Sequence, residues 1–351
     1  MVTSFKRFIK ATFYYLGVYR ILIALRRDCV PIIMIHGVLD EELKSDWEPS
    51  WKRTSAEQLA RVVDVLKIYF DFISMDEVSE LLSQRTLPKR PKVCLSFDDG
   101  YRNNLTYASP ILRLRKIPSI CYLATGYITH RIPFWIDRFD YVLQHIDFDA
   151  VEIKMKEETF KIRLSARKEF ERDYLNFRRS MKQLYVDDRE MMDDIEREAS
   201  RLESLAGCAL SDSITGDSAA EVMTIKDVAS TCSYFSFGSH TINHLRVNRI
   251  SETILLSELT ESKKWIEDTT SKQCVHFCYP NGDFDEKSLT LVKQAGYSTA
   301  VTTVSGANKI GDSELLALRR VSIPDESKPY EILHSLAVSM LSHSRVLPIV
   351  V

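Results

Sequence analysis

An excess of charge of either sign is missing from this 351-residue chain: 47 lysines and arginines face 49 aspartates and glutamates, which leaves −2 with neutral histidines. There is no basic footprint of the kind nucleic acid selects, so nucleic acid is not an expected partner. Paired cysteines are missing too. The seven cysteines, at 29, 94, 121, 208, 232, 274 and 278, form no C-x-x-C pair and no disulfide-framework spacing, which fits a reducing compartment and predicts a cytoplasmic chain. Cys94 and Cys121, inside apolar runs, read as small core residues. The apolar run from Ala11 to Tyr19 is too short to span a bilayer, Arg20 interrupts it, and no small-residue cleavage site follows, so a secretory signal is not expected. There is also no internal repeat or low-complexity linker. The remaining composition is ordinary and globular, at a length suited to one barrel-sized domain with an insertion or to two ordinary domains.

Residues 1–27 read as a basic, aromatic helix of their own. Lys6, Arg7, Lys10, Arg20, Arg26 and Arg27 are interspersed with Phe5, Phe8, Ile9, Phe13, Tyr14, Tyr15, Leu16 and Tyr19. Such a helix suits an anionic membrane surface, which makes peripheral membrane contact one expectation; a helix packed on the domain is the other.

From Pro31 onward, short apolar runs alternate with amphipathic stretches. Pro31–Ile35 ends at His36-Gly37 as a buried strand ends at a turn. Residues 55–70 follow as a helix, with Ser55 and Gln58 as a capping box and Leu59, Val62, Val63, Leu66 and Tyr69 as the apolar face. Further strands are expected at 93–97, 119–123, 234–238, 274–279, 298–301 and 318–323, with helices at 108–115, 251–268 and 284–295 between them. This recurrence predicts an α/β fold with parallel strands, a barrel whose chemistry gathers at the C-terminal strand ends. Residues 145–220 break the rhythm with a charge-dense helical insertion, including 165–181 and 187–205, stopped by Gly207. Its charge runs read as solvated faces without chemistry. The expected barrel domain is 28–335, and 336–351 is a C-terminal tail.

Chemistry concentrates in two places. Val93-Cys94-Leu95-Ser96-Phe97 delivers Asp98 and Asp99 onto Gly100-Tyr101. Adjacent carboxylates at a strand end repel, and burying them costs about 1–4 kcal/mol unless a cation or hydrogen bonds compensate. A metal ion is the simplest compensation. Phe235-Ser236-Phe237-Gly238-Ser239 leads into His240-Thr241-Ile242-Asn243-His244; if the chain turns helical there, both imidazoles share one face. One carboxylate with two histidines leaves coordination positions open for water and substrate, as in a catalytic site.

These residues resemble the polysaccharide deacetylase family, the NodB-homology group known as carbohydrate esterase family 4. Ser96-Phe97-Asp98-Asp99-Gly100 is similar to its first motif, T/S-F-D-D-G, and His240-Thr241-Ile242-Asn243-His244 to its second, H-S/T-x-x-H. The resemblance runs through roughly residues 30–325, the inserted helices excepted. It implies a distorted (β/α) barrel and a divalent metal, zinc in the first instance. It also implies removal of acetyl groups from N-acetylated sugars, on a glycan or a lipid-linked sugar. Carried over, Asp99, His240 and His244 would be metal ligands, Asp98 the general base, and the backbone N–H of Tyr101 a donor to the oxyanion.

Two departures follow. The family's third motif, R-x-P-Y/F-G, is here Cys278-Tyr279-Pro280-Asn281-Gly282, with cysteine in place of the arginine that orients the base. Arg320, on the strand over 318–323, is the candidate replacement and Arg319 its neighbour, since successive strand residues face opposite sides. The family's general acid is a histidine near the C-terminal end. Here His334 lies in a helical segment, whereas His36 directly follows a strand and resembles the arrangement of circularly permuted members whose acid precedes the first motif. Phe134-Trp135-Ile136-Asp137 offers a sugar platform or plain core. His130, His145, His276 and His343 lack partners at ligand spacing. Two other functions keep parts of this pattern: a non-haem iron oxygenase, which shares the two-histidine, one-carboxylate set, and a glycan-binding deacetylase-like module that has lost catalysis, for which the missing motif-three arginine argues.

Overall fold

The computed structural model of the chain describes residues 2–40, 47–50, 54–84, 86–230, 235–322, 328–342 and 346. Seven parallel strands close into a barrel surrounded by helices. In chain order they are β1 (Ile32–Ile35), β2 (Lys92–Phe97), β3 (Ser119–Leu123), β4 (Phe235–Ser239), β5 (His276–Cys278), β6 (Thr299–Ser305) and β7 (Leu318–Ser322). Around the barrel the order is β1-β7-β6-β5-β4-β3-β2, and β2 closes back onto β1. Asp71–Phe72 adds a short parallel strand outside the ring, against the start of β2. The strands read as unbroken apolar runs because both their faces are covered: β3 is buried at every residue and β2 from Val93 onward. Ile323 and His343 lie outside the described residues.

Register sets the functional rim. Ile35 pairs with Phe97, Phe97 with Cys121, and Ser239 with both Leu123 and Phe277. His36, Asp98 and His240 each follow one of these strands at its C-terminal end, so the topology alone gathers them at one mouth.

Outside the barrel, four expectations need correction. The insertion is not wholly helical: Ala150–Met155 and Glu158–Arg163 form an antiparallel hairpin, whose first strand alternates buried Val151, Ile153 and Met155 with polar residues. The insertion's own core starts earlier than residue 145, because Phe139, Val142 and Leu143 of α4 (Trp135–His145) join Phe170, Tyr174, Phe177 and Met181 of α5 (Arg167–Leu184) and Met191, Ile195 and Leu202 of α6 (Asp188–Ala206). The boundary at 335/336 cuts through α8 (Pro329–Leu341), which continues because Ile332, Leu333, Leu336, Ala337 and Met340 keep one face buried. At the N-terminus the expected single helix is a pair, α1 (Val2–Tyr15) and α2 (Val18–Leu25), bent by 70° at Gly17, whose φ is 73°. The helix expected at 55–70 is α3 (Ala56–Tyr69), with Ser55 accepting from the Gln58 N–H, and the 251–268 helix is α7 (Glu252–Thr270).

Candidate active site

The turn after β2 is left-handed at Asp99 (φ 74°) and Gly100 (φ 87°). A side chain at position 100 would be strained at that φ and would begin 3.0 Å from the Leu123 side chain. This conformation reverses the chain within two residues, so Asp98 and Asp99 both stay at the barrel mouth, buried to 2% and 5% exposure.

The second loop is not a helix. After Ser239 the chain turns through left-handed Thr241 (φ 67°) and His244 (φ 55°), conformations that cost a non-glycine residue of order 1–3 kcal/mol each and persist only when surroundings fix them. Glu258 of α7 fixes them. Its buried carboxylate accepts from the Ile242 N–H at 2.7 Å, the Asn243 N–H at 2.9 Å and Asn243 Nδ2 at 2.7 Å. The imidazoles therefore meet by a turn instead of a helix face, their rings edge-to-face with centroids 4.7 Å apart.

The ligand test comes from distances and protonation. Asp99 Oδ1 lies 3.6 Å from His240 Nε2 and 3.5 Å from His244 Nε2, and one ligand atom from each residue fits within 4.8 Å of the others. Donors 2.0–2.2 Å from one tetrahedral ion stand about 3.3–3.6 Å apart. His240 Nδ1 is 2.7 Å from the Cys278 carbonyl oxygen; a carbonyl only accepts, so Nδ1 carries the proton and Nε2 presents its lone pair. Burial lowers the pKa of His240 and, aided by the neighbouring His240, takes His244 well below its ordinary value, so both favour the neutral, ligating form. The set fits a divalent ion. A second cluster, Asp98, His240 and Cys278, fits poorly: burial pushes the Cys278 thiol well up, keeping it protonated, and the oxygens of Asp98 are already engaged.

They are engaged by Arg320. Its Nη1 and Nη2 donate to Oδ1 and Oδ2 of Asp98, each at 2.7 Å, and its Nε donates to the Thr302 carbonyl at 2.8 Å. Arg320 is 1% exposed; it points into the barrel and reaches up to the rim. Burial would raise the Asp98 pKa, but the guanidinium charge and hydrogen bonds outweigh it and hold the carboxyl well below the usual range. Arg319 faces the other way, donating to the Ser305 carbonyl at 2.8 Å. Cys278 sits in the space beside the pair, its sulfur 3.3 Å from Arg320 Nη2 and 3.6 Å from Asp98 Oδ1.

His36 lies on the rim beside Asp98, its Nε2 3.9 Å from Asp98 Oδ2. His334 lies elsewhere, on α8, paired with the Tyr19 hydroxyl at 3.1 Å. Tyr101 is anchored by its phenol, which donates to buried Asp137 at 2.7 Å, and by a bridge to Val222. Phe134 is core, stacked on Tyr127 with centroids 4.1 Å apart and edge-on to His244; Trp135 packs into the insertion's cluster. His276 is structural, held between Asp76 and Thr299.

The mouth is a cavity of about 340 Å³ lined by His36, Asp98, Asp99, His240 and His244 together with Thr54, Gln58, Arg178 and Asn281. Arg178 was not among the sequence candidates. It comes from α5, in the insertion read as a solvated face, and nothing in its local sequence distinguishes it from its neighbours. Glu258 was missed for a similar reason, since its task depends on a loop fifteen residues earlier.

Residues 222–300 match the family described as Polysaccharide deacetylase; this stretch holds His240, His244 and Cys278 and lies downstream of Asp98 and Asp99. Over 88 residues the chain is 35% identical to the candidate polysaccharide deacetylase YxkH of Bacillus subtilis (strain 168), covering 25% of this chain and 31% of YxkH. The chain thus spans about a third of the length of that curated relative. The Streptococcus pyogenes deacetylase PplD, solved in complex with acetate, aligns with a TM-score of 0.57 at 18% identity, covering 88% of this chain and 98% of PplD. IcaB from Ammonifex degensii aligns with a TM-score of 0.54 at 14% identity, covering 88% and 97%. The barrel is of the deacetylase type, as the motifs led us to expect.

Proposed function

We propose that this chain, which matches the polysaccharide deacetylase family across its second site loop and shares the barrel of solved deacetylases, removes N-acetyl groups from an amino-sugar glycan or glycolipid by metal-dependent hydrolysis. One observation carries the reading: Asp99, His240 and His244 converge as a ligand set directly beside a second carboxylate, Asp98, that Arg320 holds in place.

A divalent ion bound by Asp99, His240 and His244, zinc in the first instance, would polarise the acetamide carbonyl and make a water acidic near neutral pH. The chain's own groups supply the proton traffic. Asp98, ionised throughout the working range, takes the proton of the attacking water. Its pairing with Arg320 fixes its direction and limits its basicity, so it holds the proton only briefly. His36 gives a proton to the nitrogen as the C–N bond breaks, leaving acetate and a free amine. It stands on the rim beside Asp98, its Nε2 3.9 Å from Asp98 Oδ2, at the same mouth as the base. The Tyr101 N–H follows Gly100 in the same turn and is our assigned donor to the developing oxyanion.

The competing readings lose their arguments. A parallel (β/α) barrel is not the all-β double-sheet scaffold of the oxygenases that use two histidines and a carboxylate, and Asp98 has no task in oxygen chemistry. The case for a non-catalytic glycan-binding module rested on the missing motif-three arginine, and Arg320 stands in its place against Asp98. Metal analysis with acetate release over a panel of N-acetylated glycans and lipid-linked sugars tests the proposal; a metal-loaded protein that binds these sugars and releases no acetate would favour the binding module.

We also propose that the protein is cytoplasmic and makes peripheral membrane contact through α1 and α2. In α1, Phe5, Phe8, Ile9 and Phe13 are exposed along one side, and Tyr15, Leu16, Ile21 and Leu25 continue the exposed apolar surface into α2. Meanwhile Tyr14, Tyr19 and Ile23 pack on the barrel core. An apolar side turned outward beside exposed Lys6, Arg20 and Arg27 suits an anionic lipid surface. Co-sedimentation with phosphatidylserine vesicles, weakened by salt and lost in Phe5→Ser/Phe8→Ser, is the expected result; equal recovery without vesicles would mean self-association instead.

A further inference from the structure

The insertion supplies a cationic wall that the hydrolytic reaction does not use. Most arginines of this region are matched by carboxylates: Arg163 by Asp173, Arg167 by Glu171, Arg197 by Asp194 and Arg246 by Asp188. Arg178 is the exception that faces the active site. Among the described residues it has no ion pair and no hydrogen bond. Its guanidinium rests 5.9 Å from the centroid of the Tyr174 ring, an arrangement that holds the planar group without occupying its donors.

Arg178 lines the 340 Å³ cavity together with Asp98, Asp99, His240 and His244. It also lines an adjoining cavity of about 80 Å³ shared with Lys182, Asn281 and His244. The carboxylates at this mouth are committed elsewhere: Asp98 to Arg320, Asp99 to the ligand set it forms with His240 and His244, and Asp188 to Arg246. Burial lowers the pKa of Lys182, with Asp283 opposing the shift; among the described residues lining this mouth, Arg178 keeps an open fork.

We infer that the substrate carries an oxyanionic substituent, a carboxylate or a phosphate, on the acetamido sugar or its neighbour, and that Arg178 binds it. The chemistry is the matched geometry of a guanidinium and a planar or tetrahedral oxyanion, two parallel N–H···O bonds. This inference rests on the deacetylase reading for the acetamido group, but its anion-binding half stands apart from turnover.

The test measures both. N-acetylglucosamine oligomers that are neutral, that carry one uronic acid, or that carry one phosphomonoester are compared by calorimetric binding and by acetate release, with the full chain and with Arg178→Gln and Arg178→Lys. The wild type should bind an anionic oligomer roughly 10- to 100-fold more tightly than the neutral one. That ratio should fall towards one in Arg178→Gln, recover in part in Arg178→Lys, and shrink with added salt. The arm with the larger ratio identifies carboxylate or phosphate as the source. Anion-selective binding without acetate release would sink the deacetylase reading and leave this one standing. Equal binding and turnover of neutral and anionic oligomers, or an unchanged ratio in Arg178→Gln, would overturn the inference while leaving the deacetylase reading in place; binding of neither oligomer would overturn the inference and count against the deacetylase reading as well.

Discussion

Replacing Arg320 by methionine should reverse the pH dependence of stability that Asp98 contributes. In the intact pair the Asp98 pKa lies well below its unfolded value of about 3.9. The pair's contribution is therefore present above about pH 4 and is lost only as pH falls towards the depressed folded value. Methionine fills much of the volume but leaves a carboxylate at 2% exposure with burial opposed by no more than the weaker influence of His36 and His240, so the folded pKa should move above about 3.9. Stability in the variant must then decline as pH rises through and beyond about 4. Breaking a buried pair from one side costs about 3–5 kcal/mol near neutral pH, and most of it should be regained in the double variant Asp98→Asn/Arg320→Met, which no longer buries a charge. Urea unfolding of chelated protein at about pH 4.5 and pH 7 measures both, free of any contribution from metal binding. A loss below about 1 kcal/mol at neutral pH, or one that Asp98→Asn fails to relieve, would refute the assignment of Arg320 as the group that holds Asp98 in place.

Other substitutions separate ligand, base, acid and scaffold. His240→Ala and His244→Ala should each lose most bound metal with the fold intact by circular dichroism, and full occupancy in both would remove them from the ligand set. Asp98→Asn should keep its metal and lose about 10²–10⁴-fold in kcat; near-normal acetate release would make Asp98 structural. His36→Ala should keep metal and KM while kcat collapses, and His334→Ala, altering only the contact with Tyr19, should behave almost as wild type; the opposite pattern would restore the family's usual order of motifs. Glu258→Ala orphans two loop N–H groups, each worth about 1–3 kcal/mol when left unsatisfied, so metal affinity should fall about 10- to 100-fold, and unchanged affinity would show that the loop holds its shape without it.

Local chemistry was the legible part of this chain. A strand ending in Asp98-Asp99-Gly100 and a second ending at His240 announce themselves, because continuous apolar runs and turn residues are sequence-local signals. Arg320 was legible only to within one residue, since strand parity narrows the choice to 319 or 320 and the barrel's closure then decides which faces Asp98. The loop from His240 to His244 defeated helical spacing because its shape is set by Glu258, whose contribution belongs to another element. The hairpin at 150–163 was read as helix for want of length: two short strands with charges on one face carry little period-two signal beside the strong periodicity of α5 and α6. Arg178 was invisible for a related reason, as its orientation follows from how the whole insertion docks over the mouth.

The most direct measurement of the central claim is acetate release from N-acetylated glycans by purified protein as isolated, after chelation, and after reconstitution with one equivalent of zinc. The account predicts acetate and free amine in equal amounts, loss of both on chelation, and recovery on adding the ion. Release that is indifferent to chelation, or none from any acetylated sugar at full metal occupancy, would contradict it.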